Sequence, residues 1–497
     1  MRVIRNGSRY TENGWDRINV KGTPYEIGFA HGFLVSKELE EIIYTLTFTV
    51  PNTYGYSLDI LSNVIYDIHS ETVMSNFPDI YKELEGILAG AISAGFKKLT
   101  IEKLFYWNCV VSIASMLTIV NKTVENDRFL KKKYGDVFNA QPDSLDSSND
   151  KCTAFIAVGD WTKDGKIVCA HNTFDDFTEG QFFNILMYIS PSKGNSFMMQ
   201  TAAGQVSSGT DYYITSNGFI VTETTIGGFN KYAQNYPAFC RIRKAVQFSK
   251  TLDDYVEILK DGNSGDYANS WLIGDTKKNE IMRIELGLKY MNVERKKNGY
   301  FIGFNATYDD RIRNLECSNS GFYDIRRHQG ARHVRLEQLM KQHKGKIDIG
   351  IGQLILADHY DVYLNKENPC SRTCCAHYEL DAREFMSQSD RPIPFQPKGV
   401  VDGIVSDSKL AASMGLSARW GTSCGLPFDA DEFLRRNAQW NDQKPYIKNR
   451  PAEEWTIFKG KLLKNKSTSK HMKKIKLHTK TKNKLKLKTT RKINKNK

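Results

Sequence analysis

A chain of 497 residues with 40% hydrophobic and 11% aromatic content is a folded protein with room for two to four domains, which excludes a disordered polypeptide. Nine cysteines, an odd number without a short-spaced framework, exclude a small disulfide scaffold and indicate mostly reduced thiols. The net charge of +14 belongs to one segment: Lys459–Lys497 holds 17 Lys and Arg and no Asp or Glu, and taking those 17 from the 70 basic residues leaves 53 against 56 acidic ones, a net of −3.

The opening stretch, MRVIRNGSRYTENGWDRI, has no apolar run of the secretory kind, so a cytoplasmic location is the default expectation. Residues 1–133 read as a helical fragment. Apolar residues recur at three- and four-residue spacing over Lys37–Phe48, Leu58–Met74, Asp79–Ala94 and Ile101–Val120, with Thr100 as a cap for the last. No segment reaches the ~20 uninterrupted apolar residues of a membrane span. The nearest, Leu104 to Val120, is interrupted by Asn108, Ser112 and Ser115 and reads as a buried helix. Residues 134–151 (YGDVFNAQPDSLDSSNDK) are rich in Asp, Asn and Ser and predict an exposed loop.

From Cys152 the period changes from helical to alternating. The pattern predicts strands over Thr153–Trp161, Lys166–Thr173, Asn184–Ser190, Ser196–Ala202, Tyr212–Ser216, Phe219–Thr225, Ser270–Asp275, Ile281–Leu286 and Tyr300–Asn305. Asp164-Gly165, Asn217-Gly218 and Asn298-Gly299 supply turn signals. Helical spacing returns over Ala238–Phe248, Leu252–Leu259, Arg332–His343 and Ile349–Asp358, and from Glu367 the pattern is irregular and punctuated by proline. Strands interleaved with helices predict an α+β layered domain over 152–458. The Lys-rich tail, 459–497, has too little apolar surface to fold alone and is expected to be disordered. It reads either as an arm for an anionic membrane or nucleic acid or as a solubilising tail.

The chemistry centres on Cys152-Thr153, where a polar loop gives way to the apolar strand CTAFIAVGDW, followed after Asp164-Gly165 by KIVCAHNTFDDF. This layout suits an enzyme that cuts its own backbone before a cysteine and uses the freed residue as nucleophile. A thiol at a new chain start carries its own base, because an α-amine titrates near pH ~8. The structural alternative is a half-buried strand cysteine. Cys370, Cys374, Cys375 and His377 lie within eight residues, but adjacent Cys374-Cys375 does not suit zinc and no second ligand pair is evident. These residues are therefore read as a buried staple of a loop, and no metal is expected. No Gly-rich phosphate loop and no His-Glu-x-x-His occur, so no cofactor is expected either. Sequons at Asn6, Asn121, Asn305 and Asn465 carry meaning only in a secretory lumen.

Six segments in order, GTPYEIGFAHG (22–32), the Cys152-Thr153 start, AHNTFDD (170–176), TDYYITSNGFIVTETTI (210–226), DYANSWLIGD (266–275) and GVVDGIVSD (399–407), resemble the phospholipase B-like proteins, which are N-terminal-nucleophile hydrolases. The first motif and the Cys-Thr start are also similar to the penicillin acyltransferase-type cysteine amidases. The resemblance implies a four-layer αββα sandwich and cleavage before Cys152 into fragments of 151 and 346 residues. In that cleavage the sulfur attacks the Lys151 carbonyl and water resolves the ester intermediate.

Other roles carry over residue by residue. His171 would orient the α-amine or the substrate, or be a hydrogen-bonded core histidine. Asp175 would anchor the amine, unless Asp176 does so. Asn269 would donate to an oxyanion, or merely form a turn. Arg332 would hold a carboxylate or phosphate bidentately, in a region also crowded by Arg326, Arg327 and Arg335. Relatives are typically secreted or lysosomal, carry a smaller residue than Lys151 before the nucleophile, and lack such a tail. The expected function is acyl ester or amide cleavage on a lipid or acyl-amide substrate, most concretely deacylation of glycerophospholipids. Its alternatives are an amidase or acyltransferase acting on small amides or peptides, and a non-catalytic scaffold tethered to polyanions by the tail.

Overall fold

Branched and aromatic residues form central strands that are buried on both faces, because two sheets pack against each other and helices cover their outer sides. The structure is a computed structural model that describes residues 1–138, 152–318, 321–382 and 394–460. Most of the expected processing loop, Lys151 included, and all but the first two residues of the basic tail lie outside the described residues. Residues Met1–Lys461 cluster as one unit.

The larger sheet has ten strands. In spatial order they are Arg2–Ile4, Gly7–Glu12, Trp15–Gly22, Ile185–Pro191, Phe197–Thr201, Tyr213–Thr215, Phe219–Thr225, Asn269–Asp275, Glu280–Leu286 and Met291–Lys296. Every pairing is antiparallel except that of Trp15–Gly22 with Ile185–Pro191. The smaller sheet runs Gly299–Gly303, Cys152–Val158, Val168–Asp176, Asp402–Asp407, Leu416–Trp420 and Thr456–Phe458. Its seventh strand, Lys398–Val400, shares Val168–Asp176 with Asp402–Asp407: Val400 lies opposite Phe174, and Ile404 opposite His171. The sheets meet where Ile156 and Ile167 of one lie against Gly274 of the other. Helices Pro24–Leu34, Ala238–Phe248 and Leu252–Lys260 cover the ten-stranded sheet, with Pro78–Ser93 packed on the first of them, and His328–Gln342 and Ile349–Leu356 cover the other. The arrangement is the four-layer αββα sandwich.

The nine expected strands and four later helices all form, with ends moved by a few residues. Three expectations are corrected. The N-terminal portion is not purely helical, since its first 22 residues supply three strands, and the Trp15–Gly22 strand is completed only by pairing with residues 185–191. The region after Glu367, irregular in pattern, supplies strands through Asp402–Asp407, Leu416–Trp420 and Thr456–Phe458. The expected helix over 101–120 breaks after Asn108 and resumes at Ile113, the two parts bent by 62°. Thr100 caps it as expected, its side chain accepting from the Lys103 N–H at 3.3 Å. The break follows from Asn108, whose amide donates to the carbonyls of Leu104 (2.9 Å) and Gly204 (3.0 Å) and accepts from the Val206 N–H at 2.8 Å. No single described helix is long and apolar enough to cross a membrane.

Candidate active site

Register assembles the site. Cys152 opens its strand opposite Thr173, and Ala154 lies opposite His171. Side chains alternate across a strand, so Cys152, His171, Thr173 and Asp175 share one face. His171 and Asp175 are the two diagonal neighbours of Cys152, on the order of 7 Å away in sheet geometry. The His171 ring lies 6.3 Å from that of Tyr212, beside the ten-stranded sheet, so this is the inner face of the sandwich. Asp176 points the other way, is exposed and accepts from Gln396, which gives the place beside Cys152 to Asp175.

Cys152 is 2% exposed, and both of its backbone polar groups are held. Its N–H donates to Oδ1 of Asn305 at 3.2 Å, and its carbonyl accepts from Nη1 of Arg332. Arg332, fully buried, also donates to Thr153 Oγ1 (3.1 Å), Asn305 Oδ1 (2.8 Å) and the His328 carbonyl (3.1 Å), with its guanidinium over the Phe174 ring. These donors act on the backbone of Cys152 and on its neighbours. Asn305 joins the two sheets at this point, donating from Nδ2 to the Thr225 carbonyl at 2.9 Å. Its φ of 62° is left-handed, a conformation asparagine tolerates better than most residues. Fully buried and bonded, Asn305 cannot serve as a glycan acceptor in the folded protein.

Across from Cys152 lies an acidic group that the sequence motifs did not single out. The Tyr267 hydroxyl lies 2.7 Å from both Asp211 Oδ2 and Glu223 Oε1. A phenol has one hydrogen, so the two carboxyls compete for it. Burial raises the Tyr267 pKa well above its ordinary value, with Asp211, Glu223 and Cys152 adding to the rise. Asn269, oriented so that its nitrogen meets acceptors, donates at 2.8 Å both to Glu223 Oε2 and to the Ala268 carbonyl. In that orientation both amide hydrogens lie on these acceptors, and Asn269 is joined to Glu223. Asp211 has a left-handed φ of 55°, and strain of this kind gathers at functional sites.

His171 is fully buried, and among the described residues neither ring nitrogen has a well-formed hydrogen bond. Burial lowers its pKa to about 3, the Glu223 backbone offsetting this in part, so the imidazole is neutral near pH 7. Asp402, inside GVVDGIVSD, accepts from Gln200 Nε2 at 2.7 Å and from the Thr173 N–H at 3.3 Å. Burial nevertheless pushes its carboxyl up to about 7.

The fold therefore brings Cys152, His171, Asp175 and Arg332 to one place, with Asn269 joined through Glu223 and Tyr267. Asp211, Glu223 and Tyr267 were legible in principle, since each sits in a quoted motif and a carboxylate inside an apolar strand is unusual. Asn305 carried only its sequon.

The family model for Phospholipase B matches residues 69–424. A "Phospholipase B" from Crotalus adamanteus is 28% identical over 229 residues, 41% of this chain and 38% of that protein. "Putative phospholipase B-like 2" from Rattus norvegicus is 24% identical over 344 residues, 58% and 57% of the two chains. The match thus spans less than two thirds of either relative's length. Among solved structures, a mutant conjugated bile acid hydrolase from Clostridium perfringens is similar with a TM-score of 0.34 and 9% identity, covering 54% of this chain and 88% of that one. The family match runs from the helix Leu58–Asn76 to the turn at Cys424 and takes in most of both sheets and the residues around Cys152, so the chain belongs to the phospholipase B family.

Proposed function

We propose that the protein is a self-processing acyl hydrolase whose nucleophile is the Cys152 sulfur, acting on the acyl esters of glycerophospholipids. The observation that carries this reading is the fixing of Cys152 at the start of an inner strand, with its N–H on Asn305 and its carbonyl on Arg332. A nucleophile at a chain start must have that start held, and here two fully buried side chains hold it.

In the first step the Cys152 thiol adds to the Lys151 carbonyl carbon and the C–N bond breaks, its nitrogen taking the thiol proton. The resulting thioester is cleaved by water, leaving a carboxylate on Lys151, a free thiol and an α-amine on Cys152. In turnover that amine removes the thiol proton, the sulfur attacks the ester carbonyl, and the ammonium protonates the departing alcohol. Water then releases the fatty acid. Asn305 Oδ1 and Asp175 accept hydrogens from the amine in both charge states. The neutral imidazole of His171 packs against the reacting face and takes no proton.

Intact mass and N-terminal sequencing of purified protein, held at neutral and acidic pH beside Cys152→Ala, test the first step. Wild type yields fragments of 151 and 346 residues, the second beginning at Cys152, and the variant stays whole. If both stay whole under every condition, the mechanism is wrong. Processed protein then releases fatty acid from phosphatidylcholine vesicles; release from soluble acyl amides alone would move the substrate class from lipid esters to amides.

A further inference from the structure

The sequence clusters Cys370, Cys374, Cys375 and His377, and the fold divides that cluster. Cys370 turns to Asp361, its sulfur 3.5 Å from Oδ2, and Cys374 packs in the core beneath the helix Ile349–Leu356. Cys375 and His377 instead meet His359, just beyond that helix, and Cys424, in the turn after Leu416–Trp420. One ligand atom from each of these four lies within 4.8 Å of all the others.

We propose that His359, Cys375, His377 and Cys424 form a structural zinc site, separate from the Cys152 centre. Zinc–sulfur and zinc–nitrogen bonds of about 2.3 and 2.0 Å at tetrahedral angles put sulfur and nitrogen about 3.5 Å apart. His377 Nε2 lies 3.5 Å from Cys375 Sγ and 3.5 Å from Cys424 Sγ. One nitrogen cannot make a good hydrogen bond to two thiols at once, whereas a cation at the centre takes all three atoms as ligands. His377 Nδ1 lies 2.7 Å from Glu379 Oε1. A carboxylate in that place fixes the proton on Nδ1 and leaves Nε2 as a lone-pair donor, the usual outer partner of a metal-bound histidine. His359 brings a buried Nε2 with no hydrogen-bond partner among the described residues. The Leu426 N–H donates to Cys424 Sγ at 3.4 Å, which favours a thiolate there.

Two thiolates and two neutral imidazoles leave no open position, so the site is structural rather than catalytic. It ties together three segments distant in sequence. The neighbours of two ligands also grip one residue of the active-site strand: Ser423 donates to Asn172 Oδ1, and the Cys374 carbonyl accepts from Asn172 Nδ2 at 3.1 Å. Asn172 lies between His171 and Thr173, so the metal would brace the strand that faces Cys152.

The test uses the full chain purified under reducing conditions. Elemental analysis gives about one zinc per chain, and removal followed by cobalt(II) titration gives the visible bands of a tetrahedral ion with a thiolate charge-transfer band in the near ultraviolet. Cys424→Ser and His377→Ala lose those bands; Cys370→Ser, a member of the sequence cluster that the fold leaves out, keeps them. The wild-type spectrum decides the matter even where a variant fails to fold. Folded, reduced wild type with no tetrahedral cobalt spectrum overturns the proposal. So does a Cys375–Cys424 disulfide in metal-free protein, or loss of cobalt binding in Cys370→Ser with retention in Cys424→Ser.

Discussion

Around Cys152, two polar side chains hold a backbone in place. Arg332 has a forked donor set that a lysine ammonium cannot reproduce. Arg332→Lys therefore leaves acceptors unpaired among the Cys152 carbonyl, Thr153 and Asn305, at about 1–3 kcal/mol for each one orphaned. The expected result is a lower urea midpoint together with slower cleavage before Cys152. Asn305→Ala removes the acceptor of the Cys152 N–H and a tie to Thr225, and should slow cleavage more than it lowers stability. Time-resolved gel analysis beside equilibrium unfolding separates the two effects; unaltered cleavage in both variants would show that the chain start needs no such hold. Cys152 was legible from sequence because a polar loop turns into an apolar strand there. Asn305 was not, because its role depends on a strand and a helix that reach it from elsewhere in the chain.

Among the elements, the first motif acquires a physical meaning. Gly28 and Gly32 of the helix Pro24–Leu34 face Gly86 and Gly90 of the helix Pro78–Ser93. A Cβ at Gly28 would stand 2.0 Å from the Glu83 carbonyl oxygen, and one at Gly32 would stand 2.0 Å from that of Ile87. The two backbones approach closely only because no side chain intervenes. His31, between those glycines, accepts from the Gly204 N–H at 3.0 Å and so pins the buried loop that leads to Asp211. Gly32→Ala must push backbone against backbone, an overpacking cost of about 3 kcal/mol or more. Gly350→Ala, in the first turn of Ile349–Leu356, meets its nearest atom at 3.5 Å and should be neutral or stabilising by up to about 1 kcal/mol. Thermal unfolding of the pair checks this: similar melting temperatures would refute the close-contact account. GTPYEIGFAHG was visible as a motif, but that its glycines serve helix packing follows only from the partner helix.

Across the molecule, burial of titratable groups sets the response to acid. His31 and His171 are lowered to about 3 and His69 to about 4, each chiefly by burial. All three are neutral in the fold, and the unfolded chain takes up their protons below about pH 6.5. The unfolded state thus binds more protons between pH 6.5 and about 4, and each histidine removes up to about 1.4 kcal/mol per pH unit as pH falls through that window. Asp402 at about 7 and Glu83, raised by burial, act the other way, since their folded forms hold protons that the unfolded chain releases. Three histidines against two carboxyls leave a net loss on acidification. Urea midpoints should fall between pH 6.5 and 4.5, and less steeply in His69→Phe; a flat profile would mean that the histidines are hydrated. The two-period pattern, the place of Cys152, most strands and the family resemblance were written in the chain alone, because each depends on residues that are neighbours along it. Which polar groups lose water, and which distant residues meet, emerged only on folding. Asn305, the Tyr267 acid cluster, the contacts of Arg332 and the His359–Cys424 grouping all arise from segments joined across both sheets, where pairing and burial are set by the whole fold.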